Sequence, residues 1–266
     1  MWEHEIVRNK QGDAFSSTNA GKPGGLRTDS EKGAADTYAK IFAECPESIE
    51  TKLDNFPKYV RIQALTRFLS RYEIYKKILN IKGSVIECGV FQGLGLMTWA
   101  HLSAILEPAN FMRRIHGFDT FSGFPSVDPK DQGKSNQSVV GNLLSDSYEE
   151  LIEILSAYDK NRYLGHMEKV EIIKGNAQET IPIFLETNPH VVISLLYLDF
   201  DLYQPTKVAI ENFIPRMPKG SIIAFDDLNH PVWPGETLAL LDSIGINKLQ
   251  INRVNFDPYV GYAVID

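Results

Sequence analysis

Five short apolar runs, each closing on an acid or a glycine, set the strongest limit on what this chain can fold into. Ser84 to Glu87 leads into Cys88-Gly89, Ile115 to Phe118 into Asp119, and Glu171 to Ile173 into Gly175. Val191 to Leu198 leads into Asp199, and Ser221 to Phe225 into Asp226-Asp227. Between them lie stretches with helical spacing: Leu94 to Leu106, Gln178 to Glu186, a segment from about Pro205, and Gly235 to Ser243. Strands alternating with helices predict an α/β fold with a mostly parallel sheet covered on both faces. Val191 to Leu198, apolar apart from Ser194, suits a strand buried on both sides. Gln250 to Asn255 and Tyr259 to Ile265 fit an antiparallel hairpin on one edge.

The remaining segments have a different character. Residues 1–34 mix Gly12, Gly21, Pro23, Gly24, Gly25 and Gly33 with Ser, Thr, Asn and Lys, which predicts a mobile arm. Over residues 35–80, Ile62, Leu65, Phe68, Leu69, Tyr72 and Ile78 recur every three or four positions, predicting a helical extension before an α/β domain over residues 81–266. Thr120 to Asp146 is too rich in Gly, Pro, Ser and Asp for an element interior. Its length and its place after a strand end favour a lid over the site.

Composition narrows the function classes. The chain carries 34 acidic residues against 27 Lys and Arg, a net charge of −7, without basic blocks, which argues against a broad nucleic-acid surface. No apolar run approaches the roughly 18 to 20 residues needed to cross a bilayer. The start, MWEHEIVRNK, lacks the apolar stretch of a signal peptide, and two cysteines, Cys45 and Cys88, make no disulfide framework, so a cytoplasmic location is expected.

In open α/β sheets ligands bind beyond the carboxyl ends of the strands. Asp, Asn and Gly are common there for turn reasons alone, and at any one position that is the better reading. Four acidic ends in one sheet weaken it. In ECGVFQGLG, Gly89 and Gly93 flank a strand-to-helix turn where backbone can approach a ligand closely. The spacing is not GxGxxG, and Glu87 would repel a pyrophosphate, so a cationic ligand fits better than a dinucleotide. Asp119, at the next strand end, is placed to accept both hydroxyls of a ribose. Together these tilt the choice toward S-adenosylmethionine, whose sulfonium and amino groups are positive.

A second cluster comes from LYLDFDLYQPT and IIAFDDLNHP. Asp199 and Asp201, two apart in an extended chain, can point into one space. Asp226 and Asp227 converge only if the chain turns there, which Asn229, Pro231 and Pro234 favour. Such carboxylates, without basic neighbours, would repel one another unless a cation is bound. An all-oxygen set suits Mg²⁺, with Mn²⁺ or Ca²⁺ possible; solvated helix-capping aspartates are the bland alternative. His101 and His116 read as packed residues, while His230 and Trp233, just after the acidic pair, are better placed to touch a substrate. Cys88, beside a glutamate, is a poor nucleophile.

GSVIECGVFQG, FDTFSGFP, LLYLDFDLYQPT and IIAFDDLNHPVWPG, in this order and spacing over roughly residues 55–245, resemble the macrocin and aminocoumarin sugar O-methyltransferases. The resemblance implies a class I methyltransferase fold, Rossmann-like and seven-stranded, using S-adenosylmethionine and Mg²⁺ to methylate a sugar hydroxyl. It implies that Glu87, Gly89 and Gly93 hold the methionine end of the cofactor, Asp119 the ribose, and Ser122 with the Asn176-Ala177 turn the remainder. Asp199, Asp226 and Asp227 match the metal ligands and Asp201 the general base. A small-molecule acceptor presenting vicinal hydroxyls and a homodimer or higher homo-oligomer are further expectations. Rival readings are a catechol-type O-methyltransferase, a nonenzymatic S-adenosylmethionine-binding protein and, more distantly, a Rossmann oxidoreductase.

Overall fold

The computed structural model describes residues 29–134 and 137–266. The first 28 residues of the expected arm lie outside them. The chain divides into two compact units, residues 1–68 and 69–266. The first contains helices α1 (Asp29–Glu44) and α2 (Ile49–Asp54) and the start of α3 (Ile62–Ile78). Ser48 caps α2 by accepting a hydrogen bond from the amide of Thr51, and Phe42 meets Tyr59 edge to face at 5.1 Å.

The second unit is built on seven strands. These are β1 (Ser84–Cys88), β2 (Ile115–Asp119), β3 (Val170–Lys174), β4 (Ile193–Leu198), β5 (Ile222–Phe225), β6 (Asn252–Arg253) and β7 (Gly261–Val264). Their order across the sheet is β3-β2-β1-β4-β5-β7-β6. The first five are parallel, and β7 runs antiparallel to both β5 and β6. The expected parallel sheet with an antiparallel edge is therefore present, although β6 shrinks to two residues.

Alternation along the strands explains why both faces are covered. Val85, Leu195, Tyr197, Ile222 and Ala224 enter one apolar core together with Tyr75, Trp99 and Tyr158. Ile86, Cys88, Leu196, Leu198, Ile223 and Phe225 enter the other, with Phe118, Phe184 and Phe213. A fully buried aliphatic or aromatic side chain contributes roughly 1.5–3 kcal/mol, so continuous apolar strands are stable only between two layers of helices. The layers are α3, α4 (Leu94–Leu106) and α5 (Tyr148–Asn161) on the first side. On the second lie α6 (Ala177–Thr187), α7 (Tyr203–Phe213) and α8 (Gly235–Ser243).

Helices α4 and α8 have the bounds expected from spacing, whereas α5 was not foreseen. Its buried positions Leu151, Leu155 and Tyr158 fall on one stripe of an otherwise polar helix. The segment from Thr120 to Asp146 also holds more order than its composition implies. Phe124 exchanges backbone hydrogen bonds with Gly141 and Asn142, and Pro129–Asp131 forms a 3-10 turn with a reciprocal cap between Asp128 and Asp131. His116 is buried and bonded to Glu171, as expected of a packed histidine. His101 corrects its expectation, since it faces outward on α4 with its ring edge-on to Tyr158.

Candidate active site

The strand order reverses between β1 and β4, where the parallel strands send their connections to opposite sides. A crevice at the carboxyl ends beside such a switch point is the place where α/β sheets bind ligands. Here the chain leaves β1 through Gly89, whose φ of +96° lies in the left-handed region. A Cβ at Gly89 would sit 2.0 Å from the carbonyl oxygen of Asp199, so glycine is demanded twice, by conformation and by crowding. Gly93, φ +86°, opens α4.

Asp119, at the end of β2, organises this turn. One carboxylate oxygen accepts from the amides of Val90 and Phe91 at 2.8 and 2.7 Å, and the other from the amide of Phe121 at 2.7 Å. Phe91 and Phe121 both have positive φ, of 51° and 54°. Strain of this kind costs on the order of 1–3 kcal/mol per residue and persists only where surrounding bonds fix it. Ser122 is exposed on the following turn, its amide donating to Thr120. Asn176 caps α6 through the amide of Gln178, and Ala177 is buried behind it.

Glu87 is buried on the β1 side of the crevice. Burial pushes its carboxyl up to about 8, against Arg71, which favours the charged form, and with Asp119 and Asp226 raising it further. Its Oε2 is buried without a hydrogen-bond partner among the described residues. An orphaned carboxylate oxygen beside a glycine turn fits a cationic group of a ligand, such as the amino or sulfonium group of S-adenosylmethionine.

The acidic cluster lies at the ends of β4 and β5. Oxygens of Asp199, Asp226 and Asp227 all fall within 4.8 Å of one another. The turn after β5 brings the adjacent pair together, with Asn229 at φ +63° and its amide bonded to Thr237. Three hard oxygen donors match Mg²⁺, Mn²⁺ or Ca²⁺. Asp201 has φ +62°, so the extended-chain argument that aligned it with Asp199 does not describe the backbone here. It nevertheless joins the group: burial, then Asp199, pushes its carboxyl well above the usual range, opposed by a hydrogen bond with Asp227.

Two residues belong to the site that the sequence did not single out. Arg71 is 2% exposed, with its guanidinium 3.7 Å from Asp199, so the cluster is not free of basic neighbours as expected. Glu236, in the first turn of α8, is fully buried and accepts from the amide of Asp227. An arginine within an amphipathic stripe carries no signal that it will be buried, while Glu236 lies eleven residues beyond the end of β5 and has no motif of its own.

The acceptor side is framed by the loop after β5. His230 Nδ1 lies 3.9 Å from Asp227, and its ring is 5.8 Å from that of Tyr259. Burial lowers the basicity of His230, partly offset by Asp226. Trp233 is half-buried, edge-on to Phe124 at 5.9 Å. The amide of Lys134 donates to Pro231, Asp131 accepts from the amide of Tyr203 at 2.6 Å, and Lys130 bonds to Tyr203 and Asp242. The long segment after β2 is thus strapped to the β5 loop and to α7 and α8.

Sheet order, glycine turn and acidic strand ends define a class I methyltransferase fold. The model of the macrocin-O-methyltransferase (TylF) family matches residues 61–240, and the chain belongs to this family. Members related to it are O-methyltransferases, transferases that use S-adenosylmethionine. The crystal structure of CalS11, calicheamicin methyltransferase, superposes with a TM-score of 0.86 at 34% identity, covering 89% of this chain and 93% of that one. An apo structure of CalS11, described as a TDP-rhamnose 3'-O-methyltransferase, gives 0.78 at 33% identity, over 89% and 95%.

Among curated proteins, a tetracenomycin-C 4'-O-methyltransferase of Streptomyces olivaceus that acts on a dimethoxy-rhamnosyl derivative is 24% identical over 149 residues. That match covers 56% of this chain and 54% of the relative. Demethyldecarbamoylnovobiocin O-methyltransferase of Streptomyces niveus is 25% identical over 152 residues, 56% and 53% of the two chains. The chain spans about half the length of these curated relatives. No helix among the described residues is long and apolar enough to cross a membrane.

Proposed function

We propose that the protein transfers the methyl group of S-adenosylmethionine to a hydroxyl of a sugar or of a glycosylated natural product, in a reaction that depends on Mg²⁺. The observation that carries this reading is the convergence of Asp199, Asp226 and Asp227 within 4.8 Å. The TDP-rhamnose substrate of CalS11 and the rhamnosyl substrate of the Streptomyces olivaceus enzyme support the acceptor class. Glu87, Gly89 and Gly93 would hold the methionine end of the cofactor, Asp119 the ribose edge, and Ser122, Asn176 and Ala177 the remainder. Asp199, Asp226 and Asp227 would hold the metal.

When bound, the cofactor supplies an electrophilic methyl group and the divalent cation a Lewis acid for the acceptor hydroxyls. The chain's own contribution is placement and proton transfer. Displacement at carbon needs the acceptor oxygen in line with the departing sulfur, and positioning of this kind can supply several kcal/mol of the barrier. The strap over the β5 loop, with His230 and Trp233, orients the acceptor. Asp201 takes the hydroxyl proton as the new C–O bond forms, so that S-adenosylhomocysteine leaves neutral at sulfur. Burial and Asp199 make Asp201 a stronger base than a free aspartate, yet any carboxylate is weak toward an unactivated alcohol, so Asp201 would act on a hydroxyl already acidified. The acceptor expected is therefore a vicinal diol or similar chelating pair.

The exposed apolar side chains of Ile49, Leu53, Phe56 and Ile62 support a homo-oligomer, which light scattering of the purified full chain would measure. The reaction itself is tested by incubating the protein with S-adenosylmethionine and a panel of acceptors: a nucleotide-activated deoxysugar, a glycosylated polyketide and a catechol. Methylation of a sugar hydroxyl that stops in excess chelator is expected. Turnover undiminished by the chelator sinks the metal role, and catechol methylation alone sinks the sugar.

A further inference from the structure

Arg71 is the one arginine of α3 that is buried against the strand ends, and it is enclosed by two aromatic rings and the side chains of two acids. Its Nη2 is 3.7 Å from Asp199 Oδ2. Its guanidinium carbon lies 4.6 Å from the centre of the Tyr197 ring and 5.8 Å from that of Trp99. Tyr197 in turn donates its hydroxyl to Asp226 at 2.7 Å. Glu87 is the fourth neighbour: a Cβ at Gly95 would meet Glu87 Oε1 at 1.7 Å and Arg71 Nε at 3.1 Å, so both side chains crowd over that glycine. Sheet register explains the grouping, because Glu87 of β1 pairs with Tyr197 of β4 and both face the helix layer that carries Arg71 and Trp99.

A guanidinium taken out of water is stable only where anions replace its hydration. Those anions are the same carboxylates that would ligate a divalent cation or face a cationic cofactor. We propose that Arg71 is a resident counter-ion that balances the charge of Asp199 directly, and of Asp226 through Tyr197, until a divalent cation binds. Burial alone would loosen the proton on Arg71, yet Tyr197, Glu87, Asp226 and Asp199 outweigh it and the group keeps its charge. The inference rests on the metal reading above, and extends it by assigning the charge balance of the site to a helix outside the acidic motifs.

The sign of the effect separates a counter-ion from a simple packing residue. A fixed positive charge near the ligating oxygens stabilises the metal-free protein and opposes an incoming cation. In calorimetric titrations of the full chain with MgCl₂, Arg71→Gln should therefore bind Mg²⁺ more tightly than wild type, by about tenfold. In chelator its thermal midpoint should fall, and the rise on adding Mg²⁺ should exceed that of wild type. Arg71→Lys retains the charge and should keep Mg²⁺ affinity within about threefold of wild type, which gives a result even if the glutamine variant does not fold. Equal or weaker Mg²⁺ binding by Arg71→Gln, or loss of binding in Arg71→Lys, overturns the proposal. If wild type itself shows no Mg²⁺ heat and no Mg²⁺-dependent stabilisation, the metal reading fails first and this inference with it.

Discussion

Tyr197 on β4 donates a 2.7 Å hydrogen bond to the carboxylate of Asp226 at the end of β5, and both residues are buried. A strand residue from the middle of the sheet thereby fixes a side chain of the acidic cluster. Hydrogen bonds to charged groups contribute about 1.5–3 kcal/mol, and more is lost when a buried charge is left without its donor. Tyr197→Phe keeps the ring under Arg71 and removes only the hydroxyl. It should lower stability by about 2 kcal/mol in urea unfolding. It should also weaken Mg²⁺ binding while leaving S-adenosylhomocysteine affinity close to wild type. Unchanged Mg²⁺ binding would show that Asp226 is held by other means.

Glu87 sets a pH dependence that can be read without any turnover. Burial raises its carboxyl to about 8, whereas the unfolded chain titrates near 4.5. The folded state therefore binds the proton more tightly, so stability falls as pH rises from about 4.5 toward 8 and levels off above it. The charged form faces Arg71 and, less favourably, Asp119 and Asp226. Cofactor binding runs the other way, because a cationic ligand prefers the ionised carboxylate. Affinity for S-adenosylmethionine should rise between pH 6.5 and 8.5, and Glu87→Gln should flatten both trends. A Glu87→Gln variant with the wild-type slope would assign the titration elsewhere.

Glycine at position 89 has two separable demands, which a second glycine isolates. Gly141 has φ +81°, and nothing lies within 4 Å of where its Cβ would be. Gly141→Ala pays only the conformational penalty, about 1 kcal/mol. Gly89→Ala adds a clash with the backbone of Asp199, which cannot move without disturbing β4 and the cluster beyond it. A loss of several kcal/mol, or failure to fold, is expected there. Comparable unfolding midpoints for the two variants would mean that the β1 and β4 ends can separate freely.

The strand ends were legible because two constraints agreed at each of them. An apolar run fixed the buried strand, and the acid or glycine after it fixed the exit, so Glu87, Asp119, Asp199 and the Asp226-Asp227 pair could be placed at the carboxyl ends of one sheet from spacing. Helix α5 was hidden because only Leu151, Leu155 and Tyr158 of its fourteen residues are buried, with charged residues diluting the stripe. Arg71 and Glu236 were hidden for a different reason. The burial of Arg71 depends on a carboxylate 128 residues later, and that of Glu236 on the backbone amide of Asp227 in the preceding loop, and no local pattern encodes either. The positive φ of Phe91 and Phe121 is likewise imposed by tertiary bonds, since residue type would place both in ordinary regions.

Asp131 ties the long segment after β2 to the start of α7, beside the acidic cluster. Its buried carboxylate accepts from the amide of Tyr203 at 2.6 Å and from that of Asp128 at 2.7 Å. The Tyr203 amide belongs to the first turn of α7, directly after Asp199 and Asp201, so the strap and the acidic cluster share one anchor. Asp131→Ala leaves two amide donors without acceptors, a loss of about 1–3 kcal/mol each where water cannot replace the carboxylate. Because the strap also packs Lys134 and Phe124 against Pro231 and Trp233, loosening it should enlarge the acceptor KM more than it lowers kcat. The proposed cofactor residues lie at the β1 and β2 ends, away from this anchor, so S-adenosylhomocysteine affinity should stay within about twofold. Steady-state kinetics in both substrates together with calorimetry separate these effects. Loss of cofactor affinity in Asp131→Ala, with the acceptor KM unmoved, would place the strap's function on the wrong side of the crevice.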